Sequence, residues 1–435
     1  MKLQLLKLSL PLVMTLNLSA ADIYTVDDLI LKAMDNSPDL KISSAQYLAS
    51  KEKLTIADSD YLPVVDLQVS AGQFGQSDIL NGNSDSMVDS SGISGTISAK
   101  QLIYDFDKTS ENIDIYKYTS ESYSMANEQK ISDKIRDVKI AYYDVLQSIA
   151  LINVNKENVK LNKAQLYRSE KYFQAGIRTK IDVSDAKVGL IQAKLDLKES
   201  EYNLKISYAS LDKVVGFMDL NLNYSVFSKE LDLSSLYESL KNYDLNLAES
   251  INFAYNNRYE IKQYIAQTKS AKASTKLSSS EFYPSFFFYG DYTKQNIADD
   301  PLKSNLPEDK WSATLNLQWN LYEGGATTAV EQENKIKLDI SNSELQYSKL
   351  SIKKDTTEAF INVHKMKDSV ELSQSLLEVS DEKFDQASKR YEHGLSDYIE
   401  LQEARQGYID SKASLVVNYY NYYSAIAVLD NSIGK

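Results

Sequence analysis

The chain has 435 residues, 31 tyrosines, 6 prolines, no cysteine and a formal net charge of −13. Its acidic balance argues against a nucleic-acid partner, which wants a basic face. Without cysteine there are no disulfides and no acceptor for a lipoprotein-type anchor, so membrane attachment must come from the fold.

Lys2 and Lys7 precede a mostly apolar run, Leu8 to Leu18, and then small residues at Ser19-Ala20-Ala21. Residues 1–21 read as a secretory signal peptide, with Asp22 as the mature start. A helix is expected from Val26 to Asp60. Two segments then alternate with period two. In Val64 to Gly72, Val65, Leu67, Val69 and Ala71 oppose Asp66, Gln68 and Ser70; in Ile93 to Tyr104, Ile93, Ile97, Ala99 and Ile103 oppose Ser94, Thr96, Ser98 and Lys100. Side chains alternate faces along a strand, so each segment has one apolar and one polar face. The polar stretch Gln76 to Ser91, with Asn81-Gly82-Asn83, reads as a surface loop joining them.

From Lys108 to Tyr172 there is neither proline nor glycine. At ~1.5 Å per residue this is on the order of 100 Å of helix, with an apolar stripe through Ile131, Ile135, Val138, Tyr142, Val145, Ile149 and Ile152. Gly176 breaks the run, and a second helix follows from Ile181 to Val214. Residues 216–246 read as a linker between two copies of one plan: 22–215 is the first repeat and 247–435 the second. The second copy has a helix from Leu247 to Ser280 and a strand from Pro284 to Thr293, with Phe286, Phe288 and Tyr292 opposite Phe287, Tyr289 and Asp291. After a loop from Gln295 to Lys310, containing Pro301 and Pro307, comes the clearest strand. There Trp311, Ala313, Leu315, Leu317, Trp319 and Leu321 oppose Ser312, Thr314, Asn316, Gln318 and Asn320. Helices from Thr327 to Tyr391 and Tyr398 to Leu429, broken at Gly394, complete the copy.

The duplication is most visible at the helix breaks. Lys171-Tyr172-Phe173-Gln174-Ala175-Gly176-Ile177-Arg178 returns as Lys389-Arg390-Tyr391-Glu392-His393-Gly394-Leu395-Ser396. That period is far beyond the roughly 20–50 residues of a solenoid unit. Pairs before the hairpins (Ala33/Ala254, Pro63/Pro284) and after them (Tyr104/Tyr322, Gly176/Gly394) differ in offset, which makes the first hairpin three residues longer.

Each strand is about as long as a tilted membrane-crossing strand. Trp311 and Trp319 bracket the fourth apolar face like an interfacial girdle. Four strands cannot close a barrel, and open edges in lipid leave backbone groups unsatisfied, so the chain must oligomerise. Two copies give eight strands and a filled interior; three give twelve and more lumen. Asp66, Lys100 and Asp291 on the polar faces favour a wet pore and hence a cyclic trimer.

Leu29 … Ala33 … Asn36-Ser37-Pro38-Asp39-Leu40, Tyr61-Leu62-Pro63, Leu321-Tyr322-Glu323-Gly324-Gly325 and the two tip motifs, in this order, resemble the TolC-type outer-membrane efflux channels. The resemblance covers essentially the whole mature chain. It implies an α+β membrane protein: a homotrimeric, 12-stranded β-barrel in outer-membrane lipid, four strands per chain, continuous with a long periplasmic α-helical barrel. It also implies docking to a periplasmic adaptor protein and an inner-membrane pump, for efflux or type I secretion.

Asp182 and Asp185, and likewise Glu400 and Glu403, are three apart, which puts each pair on one helix face. In a trimer each pair becomes a carboxylate ring that favours cations; alternatively the acids suit a solvated helix start. By the resemblance Glu400 and Glu403 match paired acidic rings, and Asp182 and Tyr391 match two linked gate positions. The family's tip arginine falls at Ser396, while Arg178 lies in the other tip. Gly176, Ile177, Gly394, Leu395 and Ser396 would form the adaptor-docking tips, although both glycines also simply end helices. No catalytic motif, cofactor motif or metal motif is present, with only His364 and His393 and no cysteine; an enzyme is not expected. The rival is a non-channel periplasm-spanning coiled-coil spacer or adhesin, which has no need of four lipid-length strands.

Overall fold

A computed structural model describes residues 22–77, 87–219, 224–229, 231–241, 243, 246–298 and 309–435. The signal peptide and the loop residues Asn81-Gly82-Asn83, Pro301 and Pro307 lie outside the described residues. The elements run β1 (Asp22–Tyr24), α1 (Val26–Asn36), α2 (Pro38–Asp58), β2 (Val64–Ser77), β3 (Met87–Tyr104), α3 (Lys108–Gln174) and α4 (Lys180–Val215). They continue with β4 (Tyr224–Val226), α5 (Leu247–Asn257), α6 (Tyr259–Ser280), β5 (Ser285–Ala298), β6 (Asp309–Gln318), α7 (Ala326–Glu392) and α8 (Tyr398–Ile433). Helices α3 and α7 have 67 residues each, and α4 and α8 have 36 each. Among the described residues no helix is long and apolar enough to cross a membrane.

The expected helix Val26–Asp60 is two helices. Ser37, in extended backbone (φ −63°, ψ 118°), separates α1 from α2. Pro38 explains this, because proline disfavours helical backbone in the residue before it. The expected helix Leu247–Ser280 also divides, at Arg258 (φ −64°, ψ 126°), with no proline. There the guanidinium pairs with Glu260 at 3.3 Å and Asp355 at 3.7 Å. Gly434, with φ +78°, lies so close that a Cβ would stand 3.0 Å from the Arg258 nitrogen. Tertiary contacts hold a break that local sequence does not require.

The chain forms two compact units. One comprises residues up to Pro38, 133–244 and 359–431. In it four helix segments lie side by side in the order α4, α3, α8, α7. Ser148 bonds Ser207 at 2.9 Å between α3 and α4, Lys412 pairs with Glu157 between α8 and α3, and Asn418 donates to Ser373 between α8 and α7. Leu29, Ala33, Val138, Val145, Leu211 and Val215 are fully buried in one core. The described residues of 216–246 form a packed strap rather than a bare linker. Strand β4 pairs in parallel with β1. The Tyr142 hydroxyl donates to Phe227 O at 2.7 Å, the Tyr422 hydroxyl to Lys241 O at 2.5 Å, and the Tyr237 amide to Gln374 Oε1 at 2.8 Å.

The other unit comprises 39–132, 245–358 and 432–435. Its helix segments run in the order α2, α3, α6, α7, joined by short hydroxyl contacts: Ser50 to Ser120 at 3.1 Å, Thr119 to Ser270 at 3.3 Å and Thr268 to Ser341 at 3.2 Å. Small side chains let these helices approach closely. Its sheet is antiparallel in the order β2-β3-β5-β6, so β2 and β6 are the edges. The strands are 14, 18, 14 and 10 residues long, and the first three exceed their sequence-based bounds. Strand β6 stops at Gln318, so Trp319 lies just past the strand's end; its Nε1 donates to Phe282 O at 3.1 Å. Two left-handed residues turn the chain after each hairpin: Phe106 and Asp107 (φ 54° and 68°), then Gly324 and Gly325 (φ 65° and 90°).

Candidate functional site at the helical tip and the sheet

In the sheet, Asp66, Ser98, Asp291 and Ser312 stand in one cross-strand row. Lys100, two residues from Ser98, shares that face and faces Tyr289; its Nζ lies 4.5 Å from the Phe287 ring centre. The three charged residues thus occupy one side of the sheet, where Ser312 donates to Asp291. The other side carries Leu67, Ile97, Tyr292 and Trp311 in a single row, all exposed, Trp311 by 75%. A bare apolar face of this extent marks a surface meant for lipid or a partner.

At the far end of the long helices, Gly176 and Gly394 adopt φ 73° and 72°. The amides of Ile177 and Leu395 donate back to Tyr172 O and Arg390 O at 2.9 and 2.8 Å. These are left-handed helix closures that only glycine makes without strain. Ile177 and Leu395 are exposed, and so project from the turns.

Between the turns is a small core of Ala186, Ala387, Tyr391, Tyr398, Leu401 and Ala404. Tyr391 is fully buried, yet its hydroxyl has no hydrogen-bond partner among the described residues of the chain. Within the single chain, Asp182 does not bond this hydroxyl. Asp182 Oδ2 instead accepts from the Thr179 amide at 2.9 Å and its hydroxyl at 2.8 Å, capping α4. Arg178 bridges the two tips: Nη2 donates to Ser396 O at 3.0 Å and its Cζ sits 4.7 Å from the Tyr391 ring centre. Glu400 pairs with Arg390 at 3.0 Å, while its amide is capped by Asp397 at 2.9 Å. Asp185 and Glu403 are exposed. Among the described residues, no group of three or more His, Asp and Glu is placed to hold a metal ion.

Sequence reasoning missed a junction just above the tip. Arg405, Asn162 and Gly189 meet there from α8, α3 and α4; Arg405 and Asn162 are nearly buried. A Cβ on Gly189 would lie 2.9 Å from Asn162 Oδ1 and 3.2 Å from the Tyr398 hydroxyl. A glycine inside a helix was the available signal.

The sequence profile of the outer membrane efflux protein family matches residues 29–217 and 251–435, and the chain belongs to that family. It is an outer-membrane protein that extends into the periplasm. Over 417 residues it is 22% identical to the outer membrane protein TolC of Vibrio cholerae, covering 93% of this chain and 89% of that protein. The fold is similar to the solved structure of CusC (TM-score 0.83, 16% identity, 94% and 92% of the two chains). It is likewise similar to the Campylobacter jejuni CmeC outer-membrane channel (TM-score 0.81, 16% identity, 94% and 85%).

Proposed function

We propose that three copies of this chain close into the outer-membrane exit duct of a tripartite efflux or type I secretion system. The observation that carries this is that every layer has two bare edges. The sheet ends at β2 and β6. The helix layer of the first unit ends at α4 and α7. Along α4, Ile181, Val188, Leu195 and Tyr202 recur at seven-residue steps and are all exposed; along α7, Leu372, Leu376 and Val379, at steps of four and three, are exposed too. Seven-residue apolar spacing is a seam for a partner helix. Open strand edges are not tolerated in lipid. Pairing each chain's edges with its neighbours' meets both demands, with twelve strands and twelve helix segments per turn of the wall.

In this assembly Asp66, Lys100 and Asp291 face the water-filled lumen, and Trp311 and Trp319 flank the lipid band. Asp185, Glu400 and Glu403 ring the periplasmic mouth, Asp182 caps the helix behind them, and Arg178 on Tyr391 and Ser396 holds each tip pair shut. The exposed tips at Gly176, Ile177, Gly394, Leu395 and Ser396 receive a periplasmic adaptor, which joins the duct to an inner-membrane pump; the pump selects the cargo. Single-channel conductance of the mature protein in planar bilayers tests this, with Glu400→Ala/Glu403→Ala alongside. The expected result is small cation-selective openings that widen or lose selectivity in the double variant. Folded, membrane-inserted protein without conductance would remove the pore reading.

A further inference from the structure

A cavity of about 400 Å³ opens between α3, α8 and the strap of the first unit. Leu146 and Val154 of α3, Val416 and Tyr420 of α8, and Leu231 and Leu233 of the strap form its apolar walls. At one end the Glu157 carboxylate accepts from Lys412 Nζ at 2.5 Å and from the Tyr408 hydroxyl at 3.2 Å. That pair is electrically neutral and partly shielded, Lys412 being only 16% exposed. Lys229 also lines the cavity, is exposed, and forms no ion pair among the described residues. The described lining thus holds two lysines and one glutamate, one positive charge in excess, on a chain whose net charge is −13.

The volume is in the range of small-ligand sites, about 300–1,000 Å³, and such sites combine apolar walls with a few placed polar groups. Its position matters too. The cavity lies between the middle two helices of the layer, whereas the exposed apolar seams lie on α4 and α7. Its lining includes none of the exposed seam residues of α4 and α7.

We propose that this cavity binds a single-chain amphiphile with an anionic carboxylate head. The alkyl chain lies along Leu146, Val154, Leu231 and Leu233. The head is held at the opening by Lys229, with Lys412 Nζ behind it. Glu157 is occupied by Lys412 and Tyr408, so Lys229 sets the sign of the charge the site accepts. This inference concerns the strap and does not rest on the channel reading.

The test is equilibrium dialysis of the full-length mature protein, held in amphipol, against labelled decanoate and, in parallel, decylamine. Wild type is expected to show a saturable component of one decanoate per chain. Ala150→Trp, which fills the cavity wall, is expected to abolish it. Lys229→Glu is expected to weaken decanoate binding about tenfold, the effect of losing one favourable rim charge, and to leave decylamine unweakened. Far-UV spectra and melting curves report folding. Should Ala150→Trp fail to fold, Lys229→Glu and Lys229→Gln on the exposed strap decide alone. A saturable component unchanged by the residue-229 variants, or decanoate and decylamine binding alike, overturns the proposal.

Discussion

Removing the Arg178 guanidinium should release the tip, whereas removing the Tyr391 hydroxyl should not. Arg178 makes two contacts across the tips: a 3.0 Å hydrogen bond to Ser396 O and a stack 4.7 Å above the Tyr391 ring. A cation over an aromatic ring contributes about 0.5–2 kcal/mol. A hydrogen bond from a charged donor contributes about 1.5–3 kcal/mol. Arg178 is partly exposed, and solvent screening brings the sum to about 2 kcal/mol per protomer. That corresponds to roughly a thirtyfold change in a two-state ratio. Open-channel occupancy in planar bilayers should therefore rise for Arg178→Ala by about that factor per tip. Arg178→Lys should fall between, since lysine keeps the charge but loses the planar fork. Tyr391→Phe should match wild type to within about 0.5 kcal/mol, because the buried hydroxyl has no partner to lose among the described residues. Tyr391→Ala should destabilise by about 3–5 kcal/mol through the cavity it leaves. If Tyr391→Phe opens the channel as much as Arg178→Ala does, the hydroxyl is the link and the reasoning from Arg178 is wrong.

The two helix glycines in matching positions should respond with opposite signs. Gly189→Ala pushes a methyl against Asn162 Oδ1 and Tyr398 and should destabilise by about 1–3 kcal/mol. Gly407→Ala, with nothing within 4 Å of its Cβ among the described residues, should stabilise by about 0.5–1 kcal/mol; melting curves compare them, and equal effects would refute the close packing at Gly189. The strap should loosen in alkali. Burial raises the phenol pKa of Tyr142 and Tyr422, and of Tyr224, whose bond to Asp212 at 2.6 Å adds to the effect. Groups raised in the folded state contribute stability that is complete below the unfolded value of about 10 and lost as pH climbs through the folded values. The tyrosinate absorbance lost in Tyr142→Phe, Tyr422→Phe and Tyr224→Phe difference titrations should therefore rise late and together with unfolding; an early rise of that component with no unfolding would contradict it. Leu195→Glu on the exposed seam of α4 should leave the helical spectrum unchanged but abolish the trimer in native mass spectrometry, and an intact trimer would disprove α4 as an edge.

Much of the architecture was legible because it rests on local periodicity. The two 67-residue helices, the glycine turns and the alternation of β2, β3, β5 and β6 follow from spacing alone. The break at Ser37 was signalled by Pro38, but the one at Arg258 was not, since its ion pairs to Glu260 and Asp355 and the close approach of Gly434 impose it. The strap read as a linker because it has no periodicity; hydroxyls of Tyr142 and Tyr422, distant in sequence, fasten it down. At the tip, sequence found the residues but not their pairing. Asp182 heads its helix after Thr179, and a capping box claims its carboxylate before any neighbour can. The reach of Arg178 to Ser396 depends on how two distant turns face each other, which no single stretch of sequence encodes.

The unpaired edges of the sheet, β2 on one side and β6 on the other, have a consequence for inheritance as well as for assembly. Under the proposed closure by three chains, each subunit is answerable for its neighbours' completeness. In a cell making equal amounts of an altered and an unaltered copy, random mixing in threes leaves only about one pore in eight wholly unaltered. A lesion at either edge strand would therefore act dominantly, unless the altered chain is barred from joining at all.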